Sequence, residues 1–181
     1  LTAHDRELVE VFCYANVLRP DDTTGRLQSA ADNWISIAGK DHKEAAELIR
    51  KDKIDILVDL AGHAGNSRLL VFAYRPAPVQ VSWLGYPNTT GMQAIDYRLT
   101  DDIADPAGDA DTLHSEKLVR LKNGFLCYQA NNSAPPVSPL PCLKKGHITF
   151  GSFNNITKTT TEVVEVWSEI LHVVPNAHLV L

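Results

Sequence analysis

With 181 residues, 44% of them hydrophobic and 22% charged, the chain falls among globular proteins long enough to bury a real core in one or two domains. Lys and Arg number 17 against 22 for Asp and Glu, a net charge of −5, and no stretch concentrates basic residues, so nucleic acid is not an expected partner. No apolar run approaches the roughly 18 residues needed to cross a bilayer, and the start "LTAHDRELVEVFCY" lacks the basic and apolar regions of a signal peptide, so no membrane partner is expected either.

In chain order, Leu8, Val9, Val11 and Phe12 end a first apolar segment, and "RPDDTTG" (19–25) reads as a turn-rich break. Residues 41–53 follow helical spacing, with Ala45, Leu48 and Ile49 on one face. The run "IDILVDLAGH" is expected to be a strand covered on both faces, as in a parallel sheet. A short helix starting at Asn66 or Ser67 should end before Pro76, because the residue preceding a proline is pushed out of the helical region. Val79 to Leu84 reads as the next buried strand, with further strands at "DYRLTD" and "EKLVRL". Alternating helix and strand predict a parallel α/β sheet.

The segment "NNSAPPVSPLPC" (131–142) carries four prolines in twelve residues, so it is expected to be a linker without a helix or central strand, dividing a domain over 1–143 from one starting at 144. Beyond it "GHITFGSFNN" gives a strand and polar loop. A helix follows with Val163, Val166, Trp167, Ile170, Leu171 and Val174 at amphipathic spacing, stopped by Pro175, and then a strand at "AHLVL". Residues 147–181 thus read as the opening βαβ of a second domain. The missing initial Met and the ending inside an apolar run suggest an excerpt of a longer protein.

Chemistry is expected where strands end, because open α/β sheets bind ligands outside the carboxyl ends of their strands. In "WLGYPNTTG", Gly85 would let a flat polar ligand approach the main chain, Leu84 and Pro87 would wall it, and Thr89 and Thr90 would offer hydroxyls, which suits a pyranose ring. His63 in "LAGHAGN" ends the preceding strand in the same manner and could meet a phosphate or a sugar hydroxyl, or transfer a proton. In "SFNNITKTTTEVVEVW", Thr159 or Thr160 can cap the helix. Thr159 with Glu162 has capping-box spacing, which would start the helix immediately after Lys158.

Free N–H groups and the positive dipole end there attract phosphate, and Lys158 adds a full charge. Two unit charges about 4 Å apart attract by about 4 kcal/mol at an effective dielectric near 20. The alternatives are a solvated lysine, a purely structural turn and a structural histidine. Asp55, Asp59, Asp96 and Asp101 admit a reading as paired hydrolytic carboxylates, but capping, pairing with Arg98 or Lys53, or solvation is the simpler one. No P-loop or dinucleotide fingerprint occurs, and neither the histidines nor the cysteines have metal-ligand spacing. Cys13, Cys127 and Cys142 read as reduced thiols in the cytoplasm, where the Asn132 sequon would be incidental.

Three ordered blocks, "IDILVDLAGHAGNSRLLVFAYRPAPVQVSWLGYPNTTG", "DYRLTDDIADPAG…DTLHSEKLVRL" and "GHITFGSFNNITKTTTEVVEVWSEILHVVPNAHLVL", resemble the catalytic region of the O-linked N-acetylglucosamine transferase family, in its bacterial-type, SPINDLY-related form. The resemblance implies a GT-B fold: a Rossmann-like parallel-sheet domain plus the opening of a second, facing across a cleft. It also implies UDP-GlcNAc as donor substrate without metal or other cofactor, inversion at the anomeric centre, a protein or peptide acceptor, and tetratricopeptide repeats in the parent protein. On the matching positions, Leu84, Gly85 and Pro87 would line the sugar, Asn155 would lie near the diphosphate, and Lys158 would neutralise the leaving phosphate. The chain departs from the family in having Thr161 where proline often stands, and it lacks the histidine-bearing upstream segments and most of the uridine-binding half, so this excerpt is not expected to be a complete catalyst. The rival readings are a non-catalytic nucleotide-sugar or peptide binder and a related enzyme using GDP-fucose.

Overall fold

In a computed structural model, which describes every residue except 129, 131 and 132, the chain forms two compact units, Leu1–Tyr128 and Gln129–Leu181. Asn132 lies outside the described residues.

The first unit opens with strand β1 (Phe12–Ala15), helix α1 (Asp22–Ala30) and strand β2 (Asn33–Ser36), and β1 and β2 pair in parallel. Residues 19–25 are therefore not simply a turn. Asp21 accepts from the Thr24 backbone N–H at 2.7 Å, and the Thr24 hydroxyl oxygen accepts from the Asp21 N–H, so the polar run read as a break is the cap and first turn of a helix. Strand β2 is not among the strands expected from the sequence.

Helix α2 (His42–Lys51) is closed by a full capping box between Asp41 and Glu44 and buries Ala45, Ala46 and Ile49. Asp41→Ala is expected to cost about 1 kcal/mol, seen as a lowered unfolding temperature of the full-length protein; Asp41→Asn, which keeps a capping oxygen, should restore most of it. Next come β3 (Ile56–Asp59), α3 (Leu69–Ala73), β4 (Val79–Ser82), β5 (Tyr97–Thr100), α4 (Asp109–Leu113) and β6 (Lys117–Arg120), and the four strands form one parallel sheet in the order β3-β4-β5-β6. The core joins Ile37, α2, Leu57, Leu69, Val71, Phe72 and Ile95.

Two features depart from expectation. Strand β3 is covered on one face only: it is an edge strand whose Ile56 and Val58 are exposed while Leu57 and Asp59 are buried. The register also puts Gln80 beside Leu57, and Ser82 beside both Asp59 and Arg98. Gln80, Ser82, Arg98 and Thr100 are all buried, so a row of polar groups runs through the interior of this sheet. Gln80 donates both amide N–H groups to the carbonyls of Phe72 and Ala94, while among the described residues its buried Oε1 has no partner.

In the second unit, helix α5 (Pro141–Lys145) begins within the proline-rich stretch, because Pro141 occupies the first helical turn, where its missing N–H costs nothing. Strand β7 (Thr149–Gly151) pairs in parallel with β8 (His178–Val180), joined through a 3-10 turn (Ile156–Lys158) and helix α6 (Thr161–Val173). On α6, Val163, Trp167 and Leu171 are half-buried, as is Val174 at its C-cap, whereas Val166 and Ile170 stay exposed. All three cysteines are free thiols. Among the described residues no helix is long and apolar enough to cross a membrane.

Candidate functional site

Two strand-end loops of the first unit meet. The loop after β3 carries Gly62 and His63, and the loop after β4 carries Leu84, Gly85, Tyr86 and Pro87. A Cβ on Gly85 would lie 2.0 Å from the Leu60 carbonyl oxygen, and one on Gly62 would lie 2.3 Å from Tyr86 Cβ. The close approach that Gly85 permits on its Cβ side is made by the chain's own backbone at Leu60 and Ala61. The His63 and Tyr86 rings meet edge to face at 5.2 Å.

The turn between these elements is strained. Leu84 has φ +72°, and the Gly85 N–H donates to the Trp83 carbonyl at 2.9 Å, the pattern of a γ-turn. A bulky residue held there costs about 1–3 kcal/mol and persists only when its surroundings over-determine it. Here they do. Arg98, almost fully buried, donates to the carbonyls of Tyr86 (2.9 Å) and Asn88 (3.0 Å), and its Nε faces Asp105 at 3.7 Å.

Glu116, buried at the start of β6's approach, accepts from the Thr89 hydroxyl (2.7 Å), the Thr90 N–H (2.7 Å) and the Thr90 hydroxyl. Burial pushes its carboxyl up, but these donors outweigh that and hold it below the ordinary range. Both hydroxyls expected to meet a sugar are therefore engaged by Glu116. The crowd of small polar residues in this loop is first of all a lashing for its backbone.

His63 remains exposed. Its Nε2 lies 3.0 Å from the Thr90 carbonyl oxygen, and because a carbonyl can only accept, Nε2 carries the proton. In the neutral ring Nδ1 is then an acceptor, which suits taking a proton better than donating to a phosphate. Beneath it, burial pushes the Asp59 carboxyl up despite hydrogen bonds from the N–H groups of Gly62 and Ala61. Asp59 thereby shapes the loop bearing His63. Asp96 pairs with Arg75 at 2.7 Å, and Asp101 accepts from the N–H groups of Ile103, Ala104 and Phe125, so both are structural.

In the second unit, Asn155 and Lys158 share the loop leaving β7. Asn155 Oδ1 accepts from the Thr157 N–H (3.1 Å) and hydroxyl (2.9 Å), and Asn155 heads the 3-10 turn ending at Lys158. Thr160, not Thr159, caps α6, through its hydroxyl and the Val163 N–H, because the 3-10 turn consumes Ile156 to Lys158 before the helix can begin. Lys158 is exposed, and among the described residues no ion pair engages it. A cavity of about 180 Å³ near this loop is lined by Phe150, Trp167 and Leu179 among others, and not by Asn155 or Lys158.

The structure places His63, Leu84, Gly85 and Pro87 at neighbouring strand ends, and Asn155 with Lys158 on one loop; sequence reasoning named Arg98 only as a partner for an aspartate and did not single out Asp105 or Glu116. Among the described residues no three His, Cys, Asp or Glu side chains are grouped to hold a metal ion.

A family profile, glycosyl transferase family 41, matches residues 2–135. The chain is 48% identical, over its whole length, to the Oryza sativa subsp. japonica protein named "Probable UDP-N-acetylglucosamine--peptide N-acetylglucosaminyltransferase SPINDLY", covering 20% of it. It is 39% identical, over 97% of its length, to the Arabidopsis thaliana protein of the same description named SEC, covering 19% of that one. A solved structure, a mutant of Thermobaculum terrenum O-GlcNAc transferase, superposes with a TM-score of 0.90 at 43% identity, over 98% of this chain and 33% of the other. The chain spans about a fifth of the length of the curated relatives it matches.

Proposed function

This chain belongs to glycosyl transferase family 41, and from that premise we propose that the protein it forms part of transfers N-acetylglucosamine from UDP-N-acetylglucosamine to Ser or Thr hydroxyls of proteins. The fold is α/β and of the GT-B type, with the chain contributing Rossmann-like parallel sheets. The observation that carries the reading is the β7–α6 loop: an exposed ammonium on Lys158 two residues before the helix cap Thr160, at the carboxyl end of a parallel strand. That is where phosphate is best held.

In the reaction the acceptor oxygen bonds to the anomeric carbon from the face opposite the diphosphate while its O–H bond breaks and the proton passes to solvent, the bond from that carbon to the diphosphate oxygen breaks, and UDP leaves with the electron pair. Charge develops on the departing phosphate, so Lys158 and the positive dipole end of α6 bind the transition state more tightly than the ground state. Asn155 would set the loop's shape and offer its amide to the diphosphate. The loop bearing Leu84, Gly85 and Pro87 would wall the sugar, with His63 beside it. The donor needs no metal in this scheme, the cation's task falling to Lys158 and the helix terminus, and a cytoplasmic setting suits the reduced thiols.

The test is transfer of radiolabelled sugar to a protein acceptor by the full-length enzyme. Label made covalent on Ser or Thr from UDP-N-acetylglucosamine supports the reading. Saturable binding without product would show a binding module instead, and transfer only from GDP-fucose would reassign the donor.

A further inference from the structure

We propose that Glu116 is a positioning residue for His63, acting through Thr90: the carboxylate grips the Thr90 backbone and hydroxyl, the Thr90 carbonyl thereby stays fixed, and that carbonyl holds the His63 ring with its proton on Nε2 and its Nδ1 lone pair outward-facing to chemistry. The inference rests on the glycosyltransferase reading for its functional meaning, but the geometry stands without it. Glu116 binds Thr90 at two points, the N–H at 2.7 Å and the hydroxyl, so the residue cannot pivot. The other carboxylate oxygen takes the Thr89 hydroxyl at 2.7 Å, and the Ser115 N–H donates to that same hydroxyl oxygen at 3.2 Å.

From this anchored residue the carbonyl reaches His63 Nε2 at 3.0 Å. The edge of Tyr86 stands against the same ring, and the Tyr86 carbonyl is itself held by Arg98. An exposed histidine on a glycine-flanked loop would otherwise sample both tautomers and several rotamers. The chain instead places a three-donor carboxylate, buried where few carboxylates are left without purpose, behind the Thr90 carbonyl that meets its ring. A lysine or water could satisfy Glu116's charge; three donors from the loop itself make it a clamp.

The test uses the full-length protein and two variants, Glu116→Gln and Thr90→Val. Glutamine keeps the size but has a single acceptor oxygen for three donors. Valine removes the hydroxyl while leaving the carbonyl. The first readout is the rate at which diethyl pyrocarbonate acylates His63, followed by mass spectrometry of its peptide, with His147 and His178 of the second unit as internal references. The expected result is a rise of about threefold or more at His63 in both variants, with the references unchanged, since a ring released from Thr90 exposes both nitrogens. The second readout is kcat, expected to fall about 10- to 100-fold, as misplacement of a reacting group does, with KM for the donor changed less than about threefold.

An unchanged His63 rate in either folded variant overturns the proposal, as does a rise shared equally by His147 and His178, which would mean general loosening. If Glu116→Gln does not fold, Thr90→Val decides alone. A parent enzyme that transfers no sugar defeats the functional reading, while the acylation rates still decide the positioning claim.

Discussion

Lys158→Ala is expected to lower kcat of the full-length enzyme by about 10²–10³-fold, the loss seen when one preorganised charge stabiliser is removed from a transition state. Folding should hardly notice, because the side chain is exposed and no ion pair among the described residues depends on it. The physical argument is differential. In the ground state the diphosphate's charge is spread over both phosphates, while in the transition state it concentrates on the departing oxygen, and an ammonium gains most from the more localised charge. The effect therefore falls on kcat more than on KM for the donor. Lys158→Arg keeps the charge but spreads it over a planar fork, so it should recover only part of the rate. Steady-state kinetics on the three proteins, with circular dichroism as the folding control, checks this; a variant Lys158→Ala with ordinary turnover removes Lys158 from the mechanism.

Much of this arrangement was legible in the sequence, and what was not has identifiable causes. Strand-end placement followed from the apolar runs at Ile56 and Val79, and α6 from its spacing, because both signals are local. The clamp around Leu84–Thr90 was not legible, because Arg98 on β5 and Glu116 just before β6 reach it from elsewhere in the chain and only the fold brings them there. A signal did exist. Polar residues recur at alternate positions in "VQVS" and "YRLT", and in strands of an interior sheet that alternation marks a buried polar row rather than a solvent face. The sequence left the cap of α6 open between Thr159 and Thr160, which are chemically equal as caps, and only the preceding 3-10 turn chooses Thr160 over the Thr159–Glu162 box. Gly85 shows the subtler limit: the residue type announced a close approach but not what approaches.

Because the intruder is backbone, Gly85→Ala is expected to be among the most damaging single-methyl additions in the first unit. A Cβ at 2.0 Å from the Leu60 oxygen, with the Leu60 carbonyl carbon at 2.9 Å and Ala61 Cα at 3.0 Å, meets nothing that a rotamer change can move. The β3 and β4 loops must part. Overpacking of this kind costs about 1–3 kcal/mol, and here it adds to the strain already held at Leu84, whose φ of +72° depends on the same loop staying in place. The thermal midpoint of the full-length protein should fall. Transfer should fall further than stability, because His63 and the expected sugar wall ride on the two loops that separate.

Two other glycines calibrate the result. Gly91→Ala has open space around its new Cβ but sits at φ +71°, so it should cost only about 1 kcal/mol of backbone strain. Gly25→Ala lies inside α1 with open space and no positive φ, and should stabilise by about 0.5–1 kcal/mol. If all three variants melt alike, steric closure between the two strand-end loops is not what Gly85 supplies, and the shelf beside His63 must be held by Arg98 and Glu116 alone.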